Sequence, residues 1–137
     1  MAKGILGVVA GLVAWVAVAS VGGLAIRASW PAYASVEAAM AFNLSMLAAR
    51  LLISAVATLA TGLVTAVVAP RSKLPVLITG LLLLASFIPV HMKLWDKFPA
   101  WYHLTFLLSL VPLTYLGAMM PTWMRRGGRT IRAGNPG

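Results

Sequence analysis

Arg50 is the residue with the clearest potential for chemistry, because its guanidinium stands within a long apolar segment. An ionisable side chain inside a membrane span is expensive and marks a functional site by default. Arg50 precedes Ala69 by 19 positions, about 28 Å along a helix, which places it near one membrane boundary. Three roles are open. The guanidinium snorkels or caps a helix, pairs with Glu37 or Asp96, or binds an anionic substrate with help from Asn43.

His91 and His103 stand at facing helix ends, where two imidazoles could in principle ligate haem or a metal ion. A zinc site needs further ligands, and ligating imidazoles usually have carboxylate partners. Only Asp96 is close in sequence. The connector from 91 to 97 is therefore interpreted as an interfacial anchor with a local salt bridge, and the sequence predicts neither a metal site nor a cofactor.

Catalytic machinery is hard to find in this sequence. The chain has two carboxylates and no cysteine, and no serine stands at a recognisable spacing from a base, as nucleophilic catalysis requires. Glycine-rich phosphate loops are absent as well. The sequence therefore predicts no catalytic residues and a protein that is not an enzyme, with a membrane enzyme or haem carrier as a lesser alternative.

The elements that must position these side chains are four long apolar segments. Hydrophobic residues make up 61% of the chain and charged residues 9%, and the mean hydropathy of +0.95 lies outside the range of soluble domains. Since a spanning helix needs roughly 20 apolar residues, the sequence predicts an all-α bundle of four transmembrane helices. The bundle forms one domain, 1–124, and a basic, disordered tail follows at 125–137. The predicted helices cover residues 4–26, 44–69, 74–92 and 101–123.

The first apolar segment could be mistaken for a secretory signal, because Lys3 precedes it and small residues occur near its middle. It continues to Ile26, however, whereas the apolar core of a signal peptide has roughly 7 to 15 residues. A retained first helix is therefore expected, with a cleaved signal as the alternative.

Positive charges are distributed unevenly over the connectors. If the four helices alternate in direction, seven Lys and Arg residues fall on one side, and only three fall on the other, together with both carboxylates. Because cytoplasmic connectors are enriched in Lys and Arg, both termini are predicted to be cytoplasmic in a multi-pass protein of the cell (inner) membrane. Tyr33 and Tyr102 belong to an aromatic belt at the outer boundary. This placement explains the net charge of +9, so nucleic-acid binding is not expected.

Small residues recur on the first two helices at the spacing of one helix face. Lipid gives apolar helices no hydrophobic reason to associate, so helices pack where small residues let them approach closely. We expect the two faces to pack against each other within the chain, with a homodimer seam as the alternative. The Leu-rich third and fourth helices should form the more lipid-facing half. The predicted packing residues are Gly4, Gly7, Gly11, Ala55, Thr58 and Gly62.

Six short stretches between residues 45 and 118 form a pattern. A Gly- and Ala-rich second helix ends in a basic turn, a Leu-rich third helix ends near an Ile-Pro step, and an aromatic segment opens the fourth. The stretches are Ala60-Thr61-Gly62, Ala69-Pro70-Arg71-Ser72-Lys73, Leu81 to Leu84, Ile88-Pro89-Val90-His91, Pro99-Ala100-Trp101-Tyr102 and Leu116-Gly117. In this pattern the chain resembles a widespread group of small uncharacterised four-helix bacterial integral membrane proteins. The resemblance implies the same topology and carries no activity.

The leading functional hypothesis is a structural or accessory membrane component, which needs only packing faces and interfacial anchors. The alternative is a homo-oligomeric small transporter or channel, because four helices enclose a pathway only by oligomerising. Proton-coupled export of the small multidrug resistance type is disfavoured, since no acidic residue lies within a span. Expected partners are the lipid bilayer, anionic headgroups at the Arg-rich tail, and a second copy or a larger membrane complex.

Overall fold

The computed structural model describes residues 1–133, with side chains for residues 1–128, and this part of the chain is entirely helical outside its connectors. The helices are α1 (Ala2–Ser29), α2 (Pro31–Glu37), α3 (Leu44–Val68), α4 (Leu74–Lys93) and α5 (Ala100–Ala133). Four of them, α1, α3, α4 and α5, are long and apolar enough to cross a membrane. The predicted all-α bundle is confirmed, and its composition indicates a small multi-pass membrane protein.

Helix starts follow local sequence signals. Asn43 is the N-cap of α3, and its side-chain oxygen accepts a hydrogen bond from the Met46 backbone N–H at 3.0 Å, which satisfies one of the free donors of the first turn. Pro31 and Pro75 lie in the first turns of α2 and α4, where a missing N–H costs no helical hydrogen bond. The short helix α2 thus begins directly after α1 and lies between the first two spans.

Helix α3 is the centre of the bundle, with α1 against one side and α5 against another, while α4 packs chiefly on α5. Gly7 and Gly11 of α1 face α3. A Cβ at Gly7 would lie 2.9 Å from the Cβ of Ala69, and one at Gly11 would overlap the Thr65 hydroxyl. Close approach of these two helices thus depends on glycine, as expected for helix packing in lipid. Farther along the same pair, the indole Nε1 of Trp15 donates to the Thr58 hydroxyl at 3.2 Å.

Gly62 lies on a different face of α3 from the one predicted. A Cβ at Gly62 would overlap the carbonyl of Thr114 in α5, and a Cβ at Gly117 of α5 would overlap the carbonyl of Leu59 in α3. Gly62 therefore serves the α3–α5 contact rather than the α1–α3 contact. Two other predicted packing residues contribute less to close helix contacts. A Cβ at Gly4 would lie 3.5 Å from the Cγ of Pro75 in α4, which is an ordinary contact distance, and Ala55 is half-buried.

The expectation that the last two spans form the lipid-facing half is wrong. The most apolar window of α1 is only 11% buried, against 33% for α3, 33% for α4 and 22% for α5. A narrow glycine stripe lets α1 contact its neighbours while most of its surface stays outside the bundle. Leu83, Phe106 and Leu110, in contrast, form a core cluster between α4 and α5.

Helix α5 continues beyond the predicted end of the fourth span. Residues 125–133 are helical, where the sequence predicted a disordered tail. A helix that is already formed extends without a new nucleation step, so Gly127 and Gly128, at about 1 kcal/mol each, do not end it. The last part of the predicted tail, residues 134–137, lies outside the described residues.

Candidate functional site

A cavity of about 240 Å³ lies at the end of the bundle that carries α2, and residues from all five helices line it. Its polar lining brings together side chains that are far apart in sequence, and its apolar lining is mostly aromatic. The polar residues are Arg27, Tyr33, Glu37, Arg50, Ser54, His91 and Tyr102. The apolar aromatic lining consists of Phe87, Phe98, Phe106 and the indole ring of Trp15.

Arg50 is held in this cavity by two phenols. Its Nη1 donates to the Tyr33 hydroxyl at 2.7 Å, and its Nε donates to the Tyr102 hydroxyl at 3.3 Å. The guanidinium carbon also lies 4.8 Å from the ring centroid of Phe42, within the range of a cation–π contact. Tyr33 and Tyr102 are almost fully buried, at 2% and 3% exposure. They therefore fix the guanidinium inside the end of the bundle.

Glu37 binds a different arginine from the one considered in the sequence. Its two carboxylate oxygens accept from Nε and Nη2 of Arg27 at 2.6 and 2.7 Å, so the pair is bidentate and ties the end of α1 to α2. The hydrogen bond from Arg27 lowers the pKa of the Glu37 carboxyl below its ordinary value. Within residues 1–128 this is the only ion pair, so of the three roles open to Arg50 in the sequence, the pairing with Glu37 or Asp96 is not formed.

His91 and His103 form a buried pair that the sequence did not predict. Their Nδ1 atoms lie 2.7 Å apart, so one neutral ring donates an N–H and the other accepts it. The ring of His103 stacks on Trp95 with centroids 4.8 Å apart, and His91 lies 4.4 Å from Phe106. The two imidazoles are turned toward each other rather than toward a common third point. The predicted salt bridge of the 91–97 connector is not among the contacts of residues 1–128.

Asn43, the second predicted substrate residue, does not line the cavity. Its side-chain oxygen accepts the Met46 N–H as the cap of α3. The structure thus separates the two candidates: Arg50 faces the cavity and Asn43 holds a helix end.

Sequence reasoning missed the partners of Arg50 for identifiable reasons. Tyr33 and Tyr102 are 17 and 52 positions away from it, and at those separations only the fold brings them together. The sequence positions of both are those of an interfacial aromatic belt. Ser54 could have been found, because it follows Arg50 by one helical turn and shares its face.

Comparison of the chain with protein-family models, curated proteins and solved structures finds no match. The chemistry available at the site is that of hydrogen-bond donation. Arginine carries five N–H donors and no acceptor, and a phenol that accepts a hydrogen bond keeps its own O–H proton to donate. Arg27 and Glu37 offset each other in their ion pair, so the cavity presents donors and a net charge of one positive unit against aromatic walls, an arrangement suited to binding.

Proposed function

We propose that this chain is a non-catalytic membrane component that acts as a structural or accessory subunit. The observation that supports this is the use of polar side chains to join helices. Arg50 links α3 to α2 and α5, the His91–His103 bond links α4 to α5, and the Trp15 indole bonds to α3. Buried hydrogen bonds of this kind rigidify a bundle and specify one packing arrangement. A rigid scaffold is what an accessory subunit needs.

The proposed location is the inner membrane of a bacterial cell, with both termini in the cytoplasm. The excess of Lys and Arg at the termini and in the α3–α4 turn supports this orientation. Reporter fusions placed after Gly137 and within residues 93–100 test it. Cytoplasmic activity of the first fusion and external activity of the second are expected, and the opposite result overturns the orientation.

Native mass measurement tests the accessory role. The tagged protein is extracted directly into lipid nanodiscs, the particle is weighed, and co-purifying proteins are identified. A second protein at fixed stoichiometry is the expected result. A particle that contains only copies of this chain contradicts the accessory role.

A homo-oligomeric transporter or channel is the second candidate, and the cavity around Arg50 is the observation that favours it. Four helices do not enclose a pathway, so transport requires several copies. Anion flux into vesicles containing the purified protein is the measurement. Loss of flux in a folded Arg50→Ala variant, with normal flux in Arg71→Ala, supports transport, and equal flux in the two variants contradicts it.

A further inference from the structure

We propose that the cavity around Arg50 is a binding site for a small organic monoanion, a carboxylate attached to an apolar and preferably aromatic body. This goes beyond the accessory role and does not depend on it. Four features of the cavity lead to the proposal: an uncompensated charge, a set of free donors, an aromatic wall and a limited volume.

The positive charge of Arg50 has no anionic partner within residues 1–128. Its hydrogen-bond acceptors are the neutral hydroxyls of Tyr33 and Tyr102, and the one carboxylate near it, Glu37, is bound at both oxygens by Arg27. An uncompensated charge at a partly buried position in a membrane protein is costly. A bound anion offsets that cost, and one negative charge is enough.

The hydrogen-bonding groups at the site favour an anion over a neutral or cationic ligand. Two of the five N–H groups of Arg50 are used by the phenols, and each phenol keeps its own proton to donate. Ser54 adds a buried hydroxyl that is free to bind a ligand in the cavity. It lines the cavity, its side chain is only 6% exposed, and its buried hydroxyl has no hydrogen-bond partner. Thr58 and Thr61 in α3 donate to carbonyls one turn back. The Thr65 hydroxyl of the same helix is also buried without a partner, but it faces Gly11 of α1 and does not line the cavity.

The rest of the lining selects the body of the ligand. The rings of Trp15 and Phe87 lie 4.7 Å apart, and those of Phe87 and Phe106 lie 5.1 Å apart. Together they form a continuous apolar wall beside the polar end of the cavity. An aromatic ring can stack or meet these rings edge-on, which adds to the gain from apolar burial. The ligand is thus amphipathic, with its charge at Arg50 and its body on this wall.

The cavity volume limits the part of the ligand that lies inside it. About 240 Å³, filled at the packing density of protein interiors, near 0.74, accommodates roughly a dozen non-hydrogen atoms. A molecule of the size of benzoate fits entirely, whereas most of a complete phospholipid would lie outside the cavity. A dianion is disfavoured as well, because Arg27 is already neutralised by Glu37 and only Arg50 remains to balance charge.

Calorimetric titration of the purified full-length chain in nanodiscs of zwitterionic phosphatidylcholine tests the proposal. The probes are benzoate, its neutral isostere benzamide, and inorganic phosphate. We expect saturable binding of benzoate at one site per chain and at least tenfold weaker binding of the other two. Absence of saturable benzoate binding, or equal affinity for benzamide, overturns the proposal. Preference for phosphate over benzoate overturns it too, since it would point to an inorganic anion.

Variants assign the binding to this cavity. Arg50→Gln should weaken benzoate binding at least tenfold, and Ser54→Ala should weaken it a few-fold, since a neutral donor contributes less than a charge. Arg71→Gln, which removes an exposed cation from the α3–α4 turn, is the matched control and should bind normally. If Arg50→Gln does not fold, Ala19→Phe fills the cavity from α1 without touching the charge and should abolish binding. Unchanged affinity in a folded Ala19→Phe protein overturns the assignment.

Discussion

The Nδ1 atoms of His91 and His103 face each other across α4 and α5 at 2.7 Å, and both side chains are buried. Only a pair with one donor and one acceptor nitrogen can make this bond, so the two rings hold complementary proton positions. The bond joins the last turn of α4 to the first turn of α5 and thereby closes the connector between them.

Replacing both members of this pair should cost less than the two single replacements added together. His103→Leu leaves the Nδ1 of His91 buried without a partner, a cost of about 1–3 kcal/mol, whereas the double variant His91→Leu/His103→Leu removes both polar groups. We expect the double variant to be less destabilised than the sum of the two single variants. Reversible unfolding in detergent, analysed as a double-mutant cycle, measures the difference. Strict additivity would show that the two rings do not interact.

Gly62 and Gly117 should tolerate no side chain. Either glycine replaced by alanine drives a methyl group into the carbonyl of Thr114 or Leu59, so α3 and α5 must separate. We expect each variant to lose several kcal/mol of stability, more than the 1–3 kcal/mol typical of overpacking, because the obstacle is backbone. Gly128→Ala is the control, since nothing lies within 4 Å of a Cβ there. Gly128→Ala should leave the stability of the protein unchanged or raise it slightly. A wild-type melting temperature for Gly62→Ala would contradict the close contact between α3 and α5.

The ion pair between Arg27 and Glu37 should give stability a specific dependence on pH. The pKa of Glu37 is lowered from its ordinary value of 4.5 by the hydrogen bond from Arg27. A lowered pKa in the folded state means that the stabilisation is complete above the unfolded value and is lost as pH falls through the folded value. The stability difference between the wild-type protein and Glu37→Gln should therefore be constant above about pH 5.5 and shrink below 4.5. A difference that grows on acidification would contradict this sign.

Asn43 should behave as a cap and not as a ligand-binding residue. Asn43→Ala removes the acceptor for the Met46 N–H and should destabilise the protein by about 1 kcal/mol. Asn43→Ser keeps an oxygen at the same place and should restore most of that loss. Benzoate affinity should be unchanged in both variants. A drop in affinity without a change in stability would restore Asn43 as a site residue.

Span positions were predictable because twenty-residue apolar segments are a strong signal in sequence. The predicted helix 44–69 corresponds to Leu44–Val68, and 74–92 corresponds to Leu74–Lys93. Helix faces were harder to predict. Gly62 follows Thr58 by one helical turn, and sequence spacing predicts that both lie on one face, whereas Thr58 meets Trp15 of α1 and Gly62 meets α5. A central helix has neighbours on several sides, and spacing does not say which neighbour each side receives.

The candidate site was predictable only through its charge. Arg50 stood out as an ionisable residue within a span, but its depth alone left three roles open. The deciding contacts come from Tyr33 in a connector helix and Tyr102 in the last span. Phenols near a membrane boundary are common enough to be explained by the interface alone. Their convergence on one guanidinium is a property of the tertiary fold.

Gly62 and Gly117 fix the register between α3 and α5, because each glycine makes room for a backbone carbonyl of the other helix. Each helix inserts a backbone carbonyl into the notch that the other helix's glycine leaves open. Sliding one helix along the other by less than a full turn would push a carbonyl against backbone rather than into open space. These two helices are therefore held in one register, which fixes the distance between the two residues that they contribute to the polar end of the cavity, Arg50 and Tyr102. Any opening of the cavity has to come from displacement of α1, α2 or α4.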